Sequence, residues 1–156
     1  MIFATVGTQL PFPRFITALD RIAGKRGLDI FAQTCDPAAR VEHIRASAHL
    51  DPASFDKHIR EADRIVGHAG IGTILSARKH TKPLILYPRL ASLGEHRNEH
   101  QLATVRSLVG RVGIYVAYTD EELEDLLTRP DLAPLRAEDS AARNALIARL
   151  SGFIAA

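Results

Sequence analysis

A parallel β-sheet covered by helices on both faces is the fold class this sequence predicts, and three observations predict it. Short β-rich runs alternate with longer stretches of helical period along the chain. A glycine-rich turn, Gly70-Ile71-Gly72-Thr73, follows the buried run 64–67 and opens a helical stretch. The loops after the runs 2–6, 64–67 and 83–87 all fall at C-terminal strand ends, the rim where open α/β sheets bind ligands. Together these define a Rossmann-like α/β domain.

Each element has its own signal. Residues 2–6 (IFATV) read as the first strand. A helix over 14–26 sets Phe15, Ile16, Leu19, Ile22 and Ala23 on one face, and Gly27 ends it. Residues 28–33 are the second strand, and 41–48 hold a short third one. Asp51-Pro52 starts a helix that runs to about Ala62, with a carboxylate cap followed by proline at the first helical position. Residues 64–67 are a strand, 71–80 a helix, 83–87 a strand, 98–108 a helix and 112–117 the last strand. Thr119-Asp120-Glu121-Glu122 is a capping box that opens a helix through Leu127. The expected organisation is a ligand-binding domain over 1–128, a proline-containing linker over 129–137, and an amphipathic helix over 138–156. That helix carries Leu146, Leu150, Phe153 and Ile154 on its apolar side.

The totals narrow the class. At 156 residues the chain fits one domain with a real core. A net charge of +2 without a basic run gives no reason to expect nucleic acid. The lone Cys35 excludes an internal disulfide and fits a reducing compartment. No run approaches the ~20 apolar residues of a membrane span. The N-terminus enters a strand with no charged leader, so a cytoplasmic protein is expected.

Two segments carry chemistry. In the first, the turn Gly70–Thr73 aims backbone N–H groups at one point and suits a phosphate, although glycines also serve tight strand–helix packing. His68, at the strand exit, either faces the ligand rim or bonds a nearby carbonyl. The second is Glu95-His96-Arg97-Asn98-Glu99-His100-Gln101. His96 and His100 share a helix face and read as a weak zinc pair, with His68 or His80 as a third ligand. The same run also reads as a solvated helix start. The preferred reading makes Asn98, His100 and Gln101 hydrogen-bond partners of a sugar or nucleotide. No GxSxG elbow, P-loop, full GxGxxG fingerprint or DxD pair occurs. Diphosphate charge must therefore be met by backbone N–H groups, a helix dipole and arginines, without a metal.

At these residues the sequence resembles glycosyltransferase family 28, and more narrowly its short single-domain members. The resemblance rests on Met1-Ile2-Phe3-Ala4-Thr5-Val6-Gly7-Thr8-Gln9 with Phe12, on His68-Ala69-Gly70-Ile71-Gly72-Thr73, on Lys82-Pro83, and on Asn98 followed by His100-Gln101-Leu102-Ala103. Pro88-Arg89, Ser92-Leu93-Gly94 and Glu95-His96-Arg97 resemble the bacterial polysaccharide branch.

The resemblance implies the C-terminal, donor-binding half of a GT-B enzyme. That enzyme would be inverting and metal-independent, with a UDP-sugar as donor substrate and no cofactor. It implies a separate membrane-associated, acceptor-binding partner subunit and a lipid-linked saccharide acceptor at the inner face of the membrane. By the family pattern Gly7, Thr8 and Gln9 approach the donor phosphate, and Gly70, Ile71, Gly72 and Thr73 hold the diphosphate. Glu95, Arg97, Asn98, His100 and Gln101 contact the sugar. Ser76 stands where many relatives carry a glutamate that clamps the ribose. His68 and Glu95 are this chain's candidates for the general base. The alternatives are a non-catalytic nucleotide-sugar-binding or regulatory subunit, and a metal-dependent hydrolase centred on His96 and His100.

Overall fold

The computed structural model describes residues 1–95, 100–136 and 147–149, with the side chains of His100 and Gln101 excepted. The elements are β1 (Ile2–Thr5), α1 (Pro13–Arg26), β2 (Ile30–Gln33), β3 (Arg45–Ser47), α2 (Pro52–Glu61), β4 (Arg64–Gly67), α3 (Ile71–Lys79), β5 (Leu84–Leu86), α4 (His100–Leu108), β6 (Ile114–Val116) and α5 (Asp120–Thr128). One 3-10 turn, Ala91–Leu93, lies between β5 and α4.

The strands form one parallel sheet in the order β3-β2-β1-β4-β5-β6. From β1 the chain builds outward through β2 and β3, then returns to the other side of β1 with β4. The order therefore reverses between β1 and β4, where Phe3 pairs with Ile65 and Ala4 with Val66. A crevice opens at such a reversal because the connections leave β1 and β4 in opposite directions.

Strand alternation makes the two cores. Phe3, Ile65, Leu84 and Leu86 face Ile59 of α2, Ile74 and Ala77 of α3, and Val105 and Leu108 of α4. Their neighbours Ala4, Val66 and Ile85 face Phe15, Leu19 and Ile22 of α1 and Leu123, Leu126 and Leu127 of α5. Both faces of the sheet are thereby buried, as the near-continuous apolar strands require.

The caps behave as the residue types dictate. Asp51 accepts the Ser54 N–H at 2.7 Å, and Thr119 accepts the Glu122 N–H at 3.1 Å. The short third strand spans Arg45–Ser47, within the stretch 41–48 expected to hold it. Residues 42–44 turn their N–H groups onto the carboxylate of Asp20 in α1, at 2.8 to 3.1 Å, so they are not available to a ladder. The last strand starts later than expected, at Ile114. Gly113, at φ +91°, breaks the extended run, and Pro134 and Leu135 pass so close that it has no room for a Cβ.

The stretch expected as a linker lies against the domain as far as Leu135. Arg64 donates to the carbonyls of Leu126 and Arg129, Ala133 N–H donates to the Tyr115 hydroxyl, and Leu135 N–H donates to the Lys82 carbonyl. Leu135 is buried in the core that holds Phe3, Ile65 and Leu84. Of the expected final helix, residues 147–149 are described and are helical, and Arg149 donates to the Ser107 carbonyl of α4 at 3.1 Å. Leu146, Leu150, Phe153 and Ile154 lie outside the described residues. Among the described residues no helix is long and apolar enough to cross a membrane.

Candidate functional site

A cavity of about 590 Å³ opens at the reversal between β1 and β4. Its walls are the β1–α1 loop (Gly7, Thr8, Gln9, Leu10), the β4–α3 turn (His68 to Thr73), Ser76 of α3 and Thr104 of α4, with Gln33, Phe55 and Arg89 beneath and beside them. Among the described residues of this lining, the titratable ones are His68 and Arg89, both basic, and none is a carboxylate. That lining fits an anionic ligand.

The start of α3 faces this space. Gly70 is its N-cap in extended conformation and offers no side-chain cap, whereas Asp51 and Thr119 cap α2 and α5. The first N–H groups of α3 therefore await an external acceptor, and the helix dipole reinforces an anion there. A Cβ on Gly72 would meet no atom within 4 Å, so that glycine presents bare backbone to the cavity. Its φ is not positive, so the backbone conformation there does not itself call for glycine.

Two other glycines serve His68. A Cβ on Gly7 would lie 2.8 Å from the imidazole Nε2, and one on Gly70 would lie 2.6 Å from the same atom. Gly7 also sits at φ +81°, a conformation other residues resist. One imidazole is thus held between the glycines of two loops, at the cavity wall.

Gln33 fixes the first of these loops from below. It accepts the Thr5 hydroxyl at 2.6 Å and donates to the carbonyls of Gly7 at 2.8 Å and Ala48 at 3.1 Å.

Arg89 fixes the same loop from the side. It is 3% exposed and donates to the carbonyls of Val6 (2.8 Å), Leu10 (2.5 Å), Pro11 (2.6 Å) and Glu95 (3.4 Å), with its guanidinium 4.7 Å from the Phe12 ring centroid. Burial pushes its pKa down and nearby Glu95 opposes that shift; an arginine stays charged under such a shift.

Sequence reasoning did not place Gln33, Phe55 or Thr104 at the site, and it quoted Arg89 in a motif without giving it a role there. The acceptors of Arg89 and Gln33 are mostly main-chain carbonyls of distant residues, which leave no mark on a sequence.

Among the predicted site residues, the structure brings together Gly7, Thr8, Gln9, His68, Gly70, Ile71, Gly72, Thr73 and Ser76 around the one cavity. It does not bring Glu95 to that lining. Expected as a candidate base, Glu95 is instead paired bidentately with Arg14 (Nε–Oε2 and Nη2–Oε1, both 2.9 Å) and accepts the Leu90 N–H at 3.0 Å. Both carboxylate oxygens hold structure, and the side chain is only 10% exposed. His96, Arg97 and Asn98 lie outside the described residues. His100 and Gln101 are described as the first turn of α4, without their side chains. Among the described residues no group of three or more His, Cys, Asp or Glu side chains is placed to hold a metal ion.

A doubly wound parallel sheet with a glycine-lined cavity at its reversal point defines the class: a Rossmann-like, ligand-binding α/β domain. The chain belongs to the glycosyltransferase family 28 C-terminal domain family, whose model matches residues 1–151. No curated protein matches it.

Solved structures share the fold at low identity. The solution structure of ALG13 is 15% identical with a TM-score of 0.66, over 95% of this chain and 94% of that one. The calicheamicin glycosyltransferase CalG4 is 16% identical with a TM-score of 0.62, over 98% of this chain but 38% of that one. MurG of Acinetobacter baumannii is 19% identical with a TM-score of 0.58, over 81% and 40%. The chain thus spans less than half the length of CalG4 and MurG.

Proposed function

We propose that this chain is the donor-binding subunit of an inverting, metal-independent glycosyltransferase that uses a UDP-sugar. The observation that carries the reading is the cavity at the β1/β4 reversal. It is lined by an uncapped helix start and two glycine loops, with basic side chains and, among the described residues, no carboxylate.

In this reading the diphosphate lies on the N–H groups of Ile71, Gly72 and Thr73 and beside Gly7, Thr8 and Gln9. The α3 N-terminus stabilises the charge that develops on the departing UDP. The sugar meets Arg97, Asn98, His100 and Gln101. His68 is this chain's candidate for the general base, because it lines the cavity and Glu95 does not. The acceptor is a lipid-linked saccharide, presented at the inner face of the membrane by a membrane-associated partner subunit. Family membership and the resemblance to short family members support that half of the proposal.

Calorimetry with UDP and a panel of UDP-sugars tests the reading. A specific donor is expected to bind, and at a hundred times its Kd to raise folding stability by ~2.7 kcal/mol. Asn98→Ala and Gln101→Ala are expected to weaken the UDP-sugar more than UDP alone, by roughly 0.5–1.5 kcal/mol each. Absence of UDP binding by the folded protein refutes the donor site.

A non-catalytic donor-binding or regulatory subunit is the second reading. It is favoured by Ser76, which puts a hydroxyl on the cavity wall where a ribose-clamping carboxylate is expected. Turnover measured with and without the co-expressed partner separates the two.

A further inference from the structure

The sheet has two edges, and they are built differently. At one end β3 carries the exposed Arg45, paired with Asp29 at 2.8 Å and 5.7 Å from the Phe31 ring centroid. A charged side chain on an edge strand keeps a foreign strand away. At the other end β6 reads Ile114-Tyr115-Val116, without a charge or a proline. The Gly113 carbonyl accepts the Leu84 N–H and the Ala117 N–H donates to Leu86, so residues 113, 115 and 117 turn their main chain toward β5. Residues 114 and 116 turn theirs outward. The Ile114 N–H folds back to the Arg111 carbonyl at 3.2 Å. The Ile114 carbonyl and both main-chain groups of Val116 are left facing the open edge, and among the described residues no strand lies beyond β6.

A groove of about 630 Å³ follows this edge. Along the strand its lining is apolar, from Val109 before β6 to Tyr118 after it. Val109 is 58% exposed, Tyr118 49% and the neighbouring Val112 76%. A cluster of exposed apolar side chains marks a contact surface. From α5 come Glu121, Glu122 and Asp125, against Arg129 alone among the described residues of the lining, which leaves this wall negative. Glu122 accepts the Tyr118 N–H at 3.2 Å and Asp125 pairs with Arg129. No residue of the groove lines the cavity at the β1/β4 reversal.

We propose that β6 is a docking edge for an extended segment of a partner protein in which apolar and basic residues alternate. The segment adds as a seventh strand, its main chain pairing with Ile114 and Val116. The alternation follows from the sheet. Ile114 and Val116 pack on the α4 face and Tyr115 on the α5 face. Successive side chains of an added strand therefore meet apolar groups on one face and the α5 carboxylates on the other. Charge decides against a second copy of this chain. Pairing β6 with itself about a two-fold axis would set α5 beside its mate on the same face, carboxylates against carboxylates. The docking edge is independent of the donor-site reading.

Two blocked pentapeptides, Lys-Val-Lys-Val-Lys and Glu-Val-Glu-Val-Glu, are titrated into the isotope-labelled full chain and followed by amide chemical shifts. The basic peptide is expected to shift amides of β6 and α5, to slow hydrogen exchange at Val116, and to bind less well at high salt. The acidic peptide is expected not to bind. Val116→Pro removes an N–H that the β5 ladder does not use, at an edge position where proline is tolerated. It is expected to weaken the basic peptide roughly tenfold, the worth of about one good hydrogen bond. Glu121→Gln with Asp125→Asn, both exposed on α5, is expected to weaken it roughly fivefold, the worth of about two surface ion pairs, and to flatten the salt dependence.

Where Val116→Pro fails to fold, the carboxylate variant carries the test. The docking role is overturned if neither peptide shifts β6, if both bind alike, or if the folded variants bind as tightly as the wild type. Two other occupants have their own signatures, and either overturns the proposal. A dimer that Val116→Pro dissolves makes the edge an interface between copies of this chain. A Val116 N–H already protected from exchange in the peptide-free monomer shows that the chain's own residues cover it.

Discussion

Gly72 separates a site reading from a packing reading, because the two predict opposite signs. It occupies the second residue of α3 with ordinary helical backbone, and a methyl built there meets no atom within 4 Å. Alanine is better than glycine within a helix by about 0.5–1 kcal/mol, chiefly because it restricts the unfolded chain. For a chain of this size that gain raises Tm by roughly 1–4 °C. The same methyl projects into the space where a diphosphate oxygen has to approach the α3 N–H groups. A hydrogen bond to a charged group is worth about 1.5–3 kcal/mol, so losing one weakens UDP by roughly ten- to a hundredfold. Gly72→Ala is therefore expected to be more stable than the wild type and to bind UDP worse.

Differential scanning fluorimetry without ligand and calorimetry with UDP measure the two effects independently. Gly70→Ala supplies the contrast: its Cβ would stand 2.6 Å from His68 Nε2, so the imidazole must shift and stability falls as well. If Gly72→Ala, and the bulkier Gly72→Val, bind UDP as tightly as the wild type, the diphosphate does not lie on α3.

Further outcomes follow from the same contacts. UDP affinity is expected to be unchanged by excess EDTA, since no metal-holding group occurs among the described residues; loss of binding that magnesium or manganese restores would refute the metal-independent site. Burial pushes the Asp20 carboxyl up, but the N–H bonds from His43, Glu42 and Ile44 outweigh it and hold the pKa below the usual carboxylate value. A lowered native pKa stabilises the fold above the unfolded value of about 3.9, and that contribution disappears as pH falls through the native one. Asp20→Ala is accordingly expected to cost about 1–3 kcal/mol at neutral pH. The gap from wild type should close below about pH 4 in urea titrations; a gap independent of pH refutes the assignment. Truncation after Thr128 removes the buried Leu135 and is expected to cost at least ~1.5–3 kcal/mol, whereas truncation after Arg136 keeps it and is expected to leave the stability of the domain close to wild type. Equal loss in both, by urea unfolding, places the essential contacts beyond Arg136.

Much of the fold was legible because its signals are local. Hydrophobic period located nearly every strand and helix, and Asp51, Gly27 and Thr119 are punctuation marks whose chemistry acts within four residues. What was not legible are the long-range partners. Residues 42–44 lie just before the short third strand, and the Asp20 carboxylate, more than twenty residues away in sequence, takes their N–H groups. Residues 129–135 carry two prolines and read as linker, and the bonds of Leu135 to Lys82 and of Ala133 to Tyr115 leave no mark on the local sequence.

The site divides in the same way. The glycine turn and the first loop announce themselves, because backbone approach demands small residues. What each glycine is for was not legible: Gly72 opens to the cavity, while Gly7 and Gly70 make room for an imidazole. Nor can a sequence tell that Glu95, in a run of polar residues that suits catalysis, would spend its charge on Arg14.

The charge inventory of the cavity bears on how the chain works. The α3 N-terminus supplies roughly half a positive charge, against about two negative charges on a sugar-nucleotide diphosphate. Arg89 supplies a full charge to the lining while both terminal nitrogens donate to carbonyls, so those nitrogens act by holding the loop and through their field. Such a field is strongest where water is excluded. A cavity open at the rim of a single domain excludes water poorly, and a second surface laid across the rim would raise the worth of every fixed dipole beneath it. Arg89 bonds the Leu10 and Pro11 carbonyls and Arg14 bonds the Tyr87 hydroxyl and the Pro88 carbonyl, so the two rim loops offer such a surface a preformed platform. Under the proposed function, binding of UDP by the isolated chain and catalysis with a partner would then be different demands on one site: the first would need only the N–H groups of α3, and the second would need them covered.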